Sequence, residues 1–110
     1  MREIKFRAWD NINKCMELDI HHLDSLNEYL HKDKYNVMQF TGLKDKNGVD
    51  IYESDFVEYT LNHDSDKNKI KSKIEFIKYA WRLNGLWLLT EISSIEVIGN
   101  IYEHPNLLEL

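Results

Sequence analysis

Lys67, Lys69, Lys71 and Lys73 occupy alternate positions, and of all the residues here their type and spacing say most about chemistry. In an extended segment, alternate side chains leave one face about 7 Å apart. Four ammonium groups in such a row can follow a phosphate backbone, so these lysines are the candidate nucleic-acid contacts. Tyr79, Trp81 and Trp87 lie close by in sequence and offer stacking surfaces. A second reading competes with this one: lysines on an edge strand block edge-to-edge aggregation. The aromatics, for their part, are more often core than platform.

The stretch TGLKDKNGVDIYESDFVEY, residues 41–59, gathers acids between hydrophobic runs and raises the question of a metal. A calcium loop of the EF-hand kind sets Gly at its sixth position and Glu at its twelfth. With Gly48 sixth, Leu43 comes first and Ser54 twelfth, so the register fails. Asn47 and Gly48 instead predict a hairpin, both accepting positive φ and joining two strands.

Histidine offers little more. His22 and His31 are nine positions apart and point to opposite sides of a helix, and no pair of histidines has the i, i+4 spacing of a helical zinc site. His21 with Asp24 three residues on gives a base and an orienting carboxylate, the basis of a small hydrolase or nuclease reading; solvated surface residues account for them better. Cys15 has no evident cationic partner to lower its pKa. Neither a Gly-x-Ser-x-Gly elbow nor a phosphate loop of the Walker type occurs. The sequence therefore predicts a non-enzymatic protein with no catalytic residue, no metal and no cofactor.

The elements that position these residues follow from periodicity. The 110 residues are 43 % hydrophobic and 30 % charged, as in an ordinary globular domain, and the formal charge is 14 − 19 = −5. That balance argues against general electrostatic capture of nucleic acid, while leaving room for a local basic patch. A lone cysteine excludes an internal disulfide and fits a reducing compartment. No apolar run approaches the roughly 20 residues a membrane span needs, and the N-terminus alternates charge with apolar residues, so a cytoplasmic location is expected.

Residues 3–9 alternate as a strand, with Ile4, Phe6 and Ala8 on one face and Lys5, Arg7 and Trp9 on the other. DNINK then turns the chain and CMELDI returns as a hairpin partner. Leu23, Leu26 and Leu30 predict one amphipathic helix near 22–31, with Asp19, Asp24 and Ser25 as candidate N-caps and Ser25 and Glu28 spaced as a capping box. YNVMQFTG, FVEYTL, IKSKIEFIKY, GLWLLTEI and SIEVIGNIY read as further strands. NHDSDKNK is an exposed loop, Asn84-Gly85 a hairpin turn, and NLLEL a last helical turn after Pro105. The strand at 94–102 is apolar on both faces, which predicts a central strand or an oligomer contact. The tripeptide IYE at 51–53 and 101–103 stands without longer self-similarity and is no repeat. The sum is a mainly β (α+β) fold, a small strongly bent sheet or SH3-like barrel of about seven short strands with one helix. A single domain over 1–110 is expected, a hairpin-plus-helix region at 1–40 followed by a barrel-like region at 41–110.

Three blocks together resemble a known family. MREIKFRAWD, MQFTGLKDKNGVDIYESDFVEY and IEVIGNIYEHPNLL resemble, in that order, the YopX family of bacteriophage and prophage proteins and cover close to half the chain. The resemblance implies a small, mainly β or α+β protein encoded by phages of Gram-positive bacteria or their prophages. It implies no activity and carries over no catalytic residue. One departure stands out: the family usually reads Tyr-Glu-Gly-Asp where this chain has Tyr52-Glu53-Ser54-Asp55. Serine tolerates a left-handed turn less well than glycine, by about 1 kcal/mol.

The expected function is that of a phage accessory module acting by binding, with an unknown host or phage protein or a second copy as partner. Tyr52, Tyr59 and Trp87, taken as exposed, are the candidate partner contacts. Nucleic-acid binding through the lysine row is the alternative.

Overall fold

The computed structural model describes residues 4–20, 23–77, 80–83, 86–87 and 92–109. They form a mainly β fold of two antiparallel sheets, one a curled half-barrel, with one short helix. In chain order come β1 (Phe6–Asp10), β2 (Cys15–Ile20), α1 (Leu23–Leu30), β3 (Tyr35–Lys44), β4 (Asp50–Tyr52) and β5 (Asp55–Leu61). Then follow β6 (Ile70–Ile77), β7 (Ala80–Leu83), β8 (Leu86–Trp87), β9 (Ile92–Asn100) and a 3₁₀ turn at Pro105–Glu109. The first sheet runs β2-β1-β3-β4 and the second β8-β7-β6-β5-β9. Of the nine strands among the described residues, two lie outside the seven runs read as strands: β4, which the hairpin expected at Asn47-Gly48 implies, and β7. Both are too short for periodicity to single out, and hydrogen bonding to longer neighbours defines them.

Each turn has a local chemical reason. Between β1 and β2, Asp10 Oδ1 accepts the Ile12 and Asn13 amides at 2.9 Å each, and Lys14 takes φ 56° to complete the reversal. The β3–β4 hairpin turns at Gly48, φ 83°, whereas Asn47 stays outside the left-handed region. Ser54 does adopt φ 72° between β4 and β5. Its amide donates to Ile74 O at 3.0 Å and its carbonyl accepts Ile101 at 3.1 Å, so neighbours on both sides hold the strained residue. The hairpin turn expected at Asn84-Gly85 lies outside the described residues; β7 and β8 pair antiparallel, Leu83 with Leu86.

The helix begins at Leu23, so Asp24 and Ser25 lie within it and Asp19 lies in β2; none is the N-cap the sequence suggested. The helix packs on β3, where Tyr29 meets Tyr35 edge-on with ring centroids 4.5 Å apart.

Burial falls into two groups. Ile51, Val57, Tyr59 and Ile74 form a core against the second sheet, with Leu43, Ile95 and Val97 packed around them. Trp9, Met38, Phe40 and Tyr52 are buried within the first sheet's layer. Burying a large apolar side chain contributes about 1.5–3 kcal/mol, so both groups are needed for a chain of this size. Strand β9 is an outer strand of its sheet, so of the two readings of its apolar faces, a central strand or an oligomer contact, the central strand is overturned. Its outer side is partly covered by the β3–β4 turn: Lys46 N–H donates to Ile95 O at 3.0 Å, and Val97 N–H donates to Asp45 Oδ2 at 2.9 Å.

Candidate functional site

Strand β1 and the residue before it send Lys5, Arg7 and Trp9 to one face by simple alternation. That face is buried: Lys5 keeps 8 % of its surface, Arg7 7 % and Trp9 7 %. A cation at such depth requires a partner. Arg7 Nη2 donates to Asp55 Oδ1 at 2.7 Å and more weakly to Glu53 O at 3.5 Å. Its guanidinium lies 4.5 Å from the centroid of the Tyr52 ring. Both of these bonds leave from the same nitrogen, and among the described residues the buried Nε has no hydrogen-bond partner.

Asp55 begins β5 and also accepts Tyr52 N–H at 2.8 Å. Burial pushes its carboxyl pKa up, more than the Arg7 charge and the Tyr52 amide bring it down, and Glu103 adds to the rise. The Arg7–Asp55 pair thus joins a strand of the first sheet to a strand of the second. A further ion pair lies beside it. Asp50 receives Lys5 and Lys44, each at 2.6 Å, while the Lys5 ammonium sits 4.6 Å from the Phe40 centroid. Burial alone would raise the Asp50 pKa; hydrogen bonds from Lys44 and Lys5 overcome it and hold the carboxyl below its usual range. Tyr102 stacks on Trp9 at 5.9 Å and 20°, and burial, then the Glu53 charge, raises its phenol pKa.

These groups border an open cleft of about 350 Å³ lined by Arg7, Leu18, Val49, Asp50 and Tyr52. Leu18 stands on β2 and Asp50 and Tyr52 on β4, the two outer strands of the first sheet. Two outer strands can share one cleft with β1 only where the sheet curls around it. The rim is apolar, with Leu18 63 % and Val49 48 % exposed. A second cavity, between Lys46, Lys69, Glu58 and Glu96, has about 30 Å³, room for about one water.

The sequence-predicted contacts fare differently. Tyr59, 1 % exposed, and Tyr52, 5 % exposed, are buried, so neither is the exposed anchor the sequence suggested. Tyr59 belongs to the core and its hydroxyl pairs with Ser72 Oγ at 3.0 Å. Tyr52 still borders the cleft with its ring under Arg7. Trp87 lies in β8 by its backbone; its side chain is outside the described residues. Only Lys71 and Lys73 belong to β6, whereas Lys67, at φ 56°, and Lys69 lie in the preceding loop. Lys69 pairs with Glu58 at 3.4 Å, and Glu58 is also the register partner of Lys71.

His21 lies outside the described residues, and with it the His21–Asp24 pair. His31 and His63 are exposed, and His104 Nδ1 accepts Asn100 N–H at 3.3 Å. Asp10, Cys15 and Glu17 come within metal-ligand distance of one another, but Asp10 already accepts three turn donors. The Cys15 thiol is held above its usual pKa by desolvation and then by Glu17 and Asp10.

The acids of residues 41–59 have structural partners. Asp45 Oδ1 accepts Asn47 N–H at 2.8 Å and Val49 N–H at 2.9 Å, its Oδ2 takes Val97, and Asp50 and Asp55 are ion-paired as above. Sequence reasoning missed the Arg7 cleft because an alternating strand shows two faces without saying which is covered. The signal present was Arg7 between Lys5 and Trp9, a mixed face that a solvated strand seldom needs.

A crystal structure of protein EF1440 from Enterococcus faecalis is similar, with TM-score 0.70, 26 % identity and coverage of 98 % of this chain and 99 % of that one. The crystal structure of protein yopX from Bacillus subtilis shares the fold, with TM-score 0.57, 16 % identity and coverage of 97 % and 98 %. No curated protein matches the sequence. The family model described as YopX protein matches residues 5–109, and the chain belongs to the YopX family.

Proposed function

We propose that this chain is a phage or prophage accessory protein that acts in the host cytoplasm as a non-enzymatic, protein-binding modulator, with the Arg7 cleft as its contact surface. One observation carries the reading. Leu18 and Val49, both large, apolar and substantially exposed, rim a cleft whose floor holds a buried guanidinium stacked on an aromatic ring. Apolar anchors around a buried arginine and tyrosine are the composition of interface hot spots. Membership in the YopX family supports the phage origin.

The test is site-specific photo-crosslinking in a Gram-positive host. A photoreactive residue at Val49 is expected to give a discrete protein adduct, and one at exposed Phe76 on β6 none. Equal labelling from both positions, or none from Val49, overturns the reading. The nucleic-acid alternative draws on exposed Lys71 alone on β6, since Lys69 is paired and Lys73 is half-buried. It requires a steeply salt-dependent mobility shift, lost when all four lysines become glutamine.

A further inference from the structure

We infer that Asn47 is a site of spontaneous covalent modification: its side-chain amide condenses with the Gly48 main-chain nitrogen, re-opens as isoaspartate, and so releases the hold of the β3–β4 turn on β9. The inference goes beyond the protein-binding reading and stands independently of it. Gly48 has no side chain to hinder approach to its nitrogen, and even a Cβ built there would meet nothing within 4 Å, so a ring has room to close. Asn47 is exposed, and among the described residues its side chain makes no hydrogen bond. Other asparagines differ on both counts. Asn11 Nδ2 donates to Lys34 O, Asn13 Nδ2 to Asp10, Asn36 Nδ2 to Asn11 Oδ1 and Asn100 Nδ2 to Glu103. Each of these four is followed by a residue with a side chain in the way.

Water is the only co-reactant. The Gly48 nitrogen gives up its proton to solvent and bonds to Asn47 Cγ; the Cγ–Nδ2 bond breaks and ammonia leaves, its added proton drawn from solvent, which closes a succinimide. Water then opens the ring, at Cγ to aspartate or at the main-chain carbonyl to isoaspartate, whose chain runs on through Cβ. Gly48 N–H donates to Asp45 O at 3.0 Å, and that bond opens first, as bonds in exposed turns do far more often than those of the core. Isoaspartate inserts a methylene between two amides that Asp45 Oδ1 holds at once, Asn47 N–H at 2.8 Å and Val49 N–H at 2.9 Å. It also sets a new carboxylate beside that of Asp45, which its amides keep charged. Both changes loosen Asp45, whose Oδ2 accepts Val97 N–H on β9, and Val49, which rims the cleft.

The test is ageing of the intact chain in mildly alkaline buffer at physiological temperature, followed by peptide mapping with mass spectrometry and isoaspartate labelling by an isoaspartyl methyltransferase. Mapping reads each asparagine separately, including the Asn84-Gly85 pair outside the described residues. Asn47 is expected to convert about ten-fold faster, or more, than Asn11, Asn13, Asn36 or Asn100. Chain carrying isoaspartate at 47, separated after ageing, is expected to exchange its Val97 amide about ten-fold faster than fresh chain. Asn47→Ser, aged alongside, cannot form the ring and is expected to keep its Val97 exchange unchanged. Conversion at Asn47 no faster than at the four hydrogen-bonded asparagines overturns the site. Converted chain with the Val97 exchange of fresh chain, or Asn47→Ser that loosens equally on ageing, overturns the release of β9.

Discussion

Asp45 and Asp55 are ten residues apart, both buried, and both reach across to the other sheet, yet opposite physics holds them. Asp45 sits in the β3–β4 turn and is satisfied by backbone amides of Asn47, Val49 and Val97. Those amides favour the charged form, and despite the opposing effect of burial its pKa is lowered. Asp55 depends on one deeply buried arginine and a single amide, and there burial prevails and the pKa is raised. A carboxylate wrapped by dipoles is settled in its charged state, whereas a dry ion pair is tolerated mainly because losing either partner is worse. The first region is a clamp on the outer side of β9. The second is a tie beneath the cleft, and it keeps Arg7 positioned there.

Breaking the tie is expected to have the largest effect. Arg7→Ala or Asp55→Ala alone leaves a buried charge unpaired and should cost about 3–5 kcal/mol in urea denaturation. Arg7→Met with Asp55→Leu should cost clearly less than the two single losses combined. Additive losses would mean the pair is not coupled.

Removing the clamp comes next. Asp45→Ala orphans three backbone amides and should cost about 2 kcal/mol, with faster amide exchange at Val97 as its local signature. If Val97 exchange is unchanged, the Asp45 bond to β9 is not formed in solution.

The pH dependence sharpens the contrast. Asp45, with its lowered pKa, contributes stability that is present above the unfolded value of about 3.9 and lost as pH falls through the folded pKa. Asp55, with its raised pKa, contributes stability present below that unfolded value and lost as pH rises through the folded pKa. Urea midpoints recorded from acid to neutral pH should therefore separate Asp45→Asn from Asp55→Asn. Relative to the native chain, the first should lose its disadvantage in acid, whereas the disadvantage of the second should persist at neutral pH and be smaller there than in acid. Parallel profiles would refute the distinction.

The smallest effect is expected at Ser54, where φ 72° favours glycine. Ser54→Gly should stabilise the fold by up to about 1 kcal/mol, less whatever the Ser54 hydroxyl contributes. A loss of stability would show that the hydroxyl outweighs the backbone strain.

Much of the fold was legible because it is written locally. Period two marked β1 and β6, β-prone runs marked β3, β5 and β9, the leucines at 23, 26 and 30 marked α1, and Asp10, Gly48 and Ser54 marked turns. Layering was not legible, because which face of a strand is covered depends on segments distant in sequence. Arg7 meets Asp55 across 48 positions, and Asp45 meets Val97 across 52. For the same reason Tyr52 and Tyr59 read as exposed anchors although they are buried, and of the two readings of β9, a central strand or an oligomer contact, the first fails because it is outermost. The lysine row read as one face because it alternates, yet Lys67 and Lys69 precede the strand.

The central claim is that the acids of 41–59 serve the fold while recognition occurs at the cleft rim. Crosslinking yield from a photoreactive residue at Val49 tests this most directly, compared between a Leu18→Asp background and one with Lys67, Lys69, Lys71 and Lys73 all changed to Gln. The account predicts that the adduct disappears in the first and persists in the second. An adduct that survives Leu18→Asp but vanishes with the lysines contradicts it.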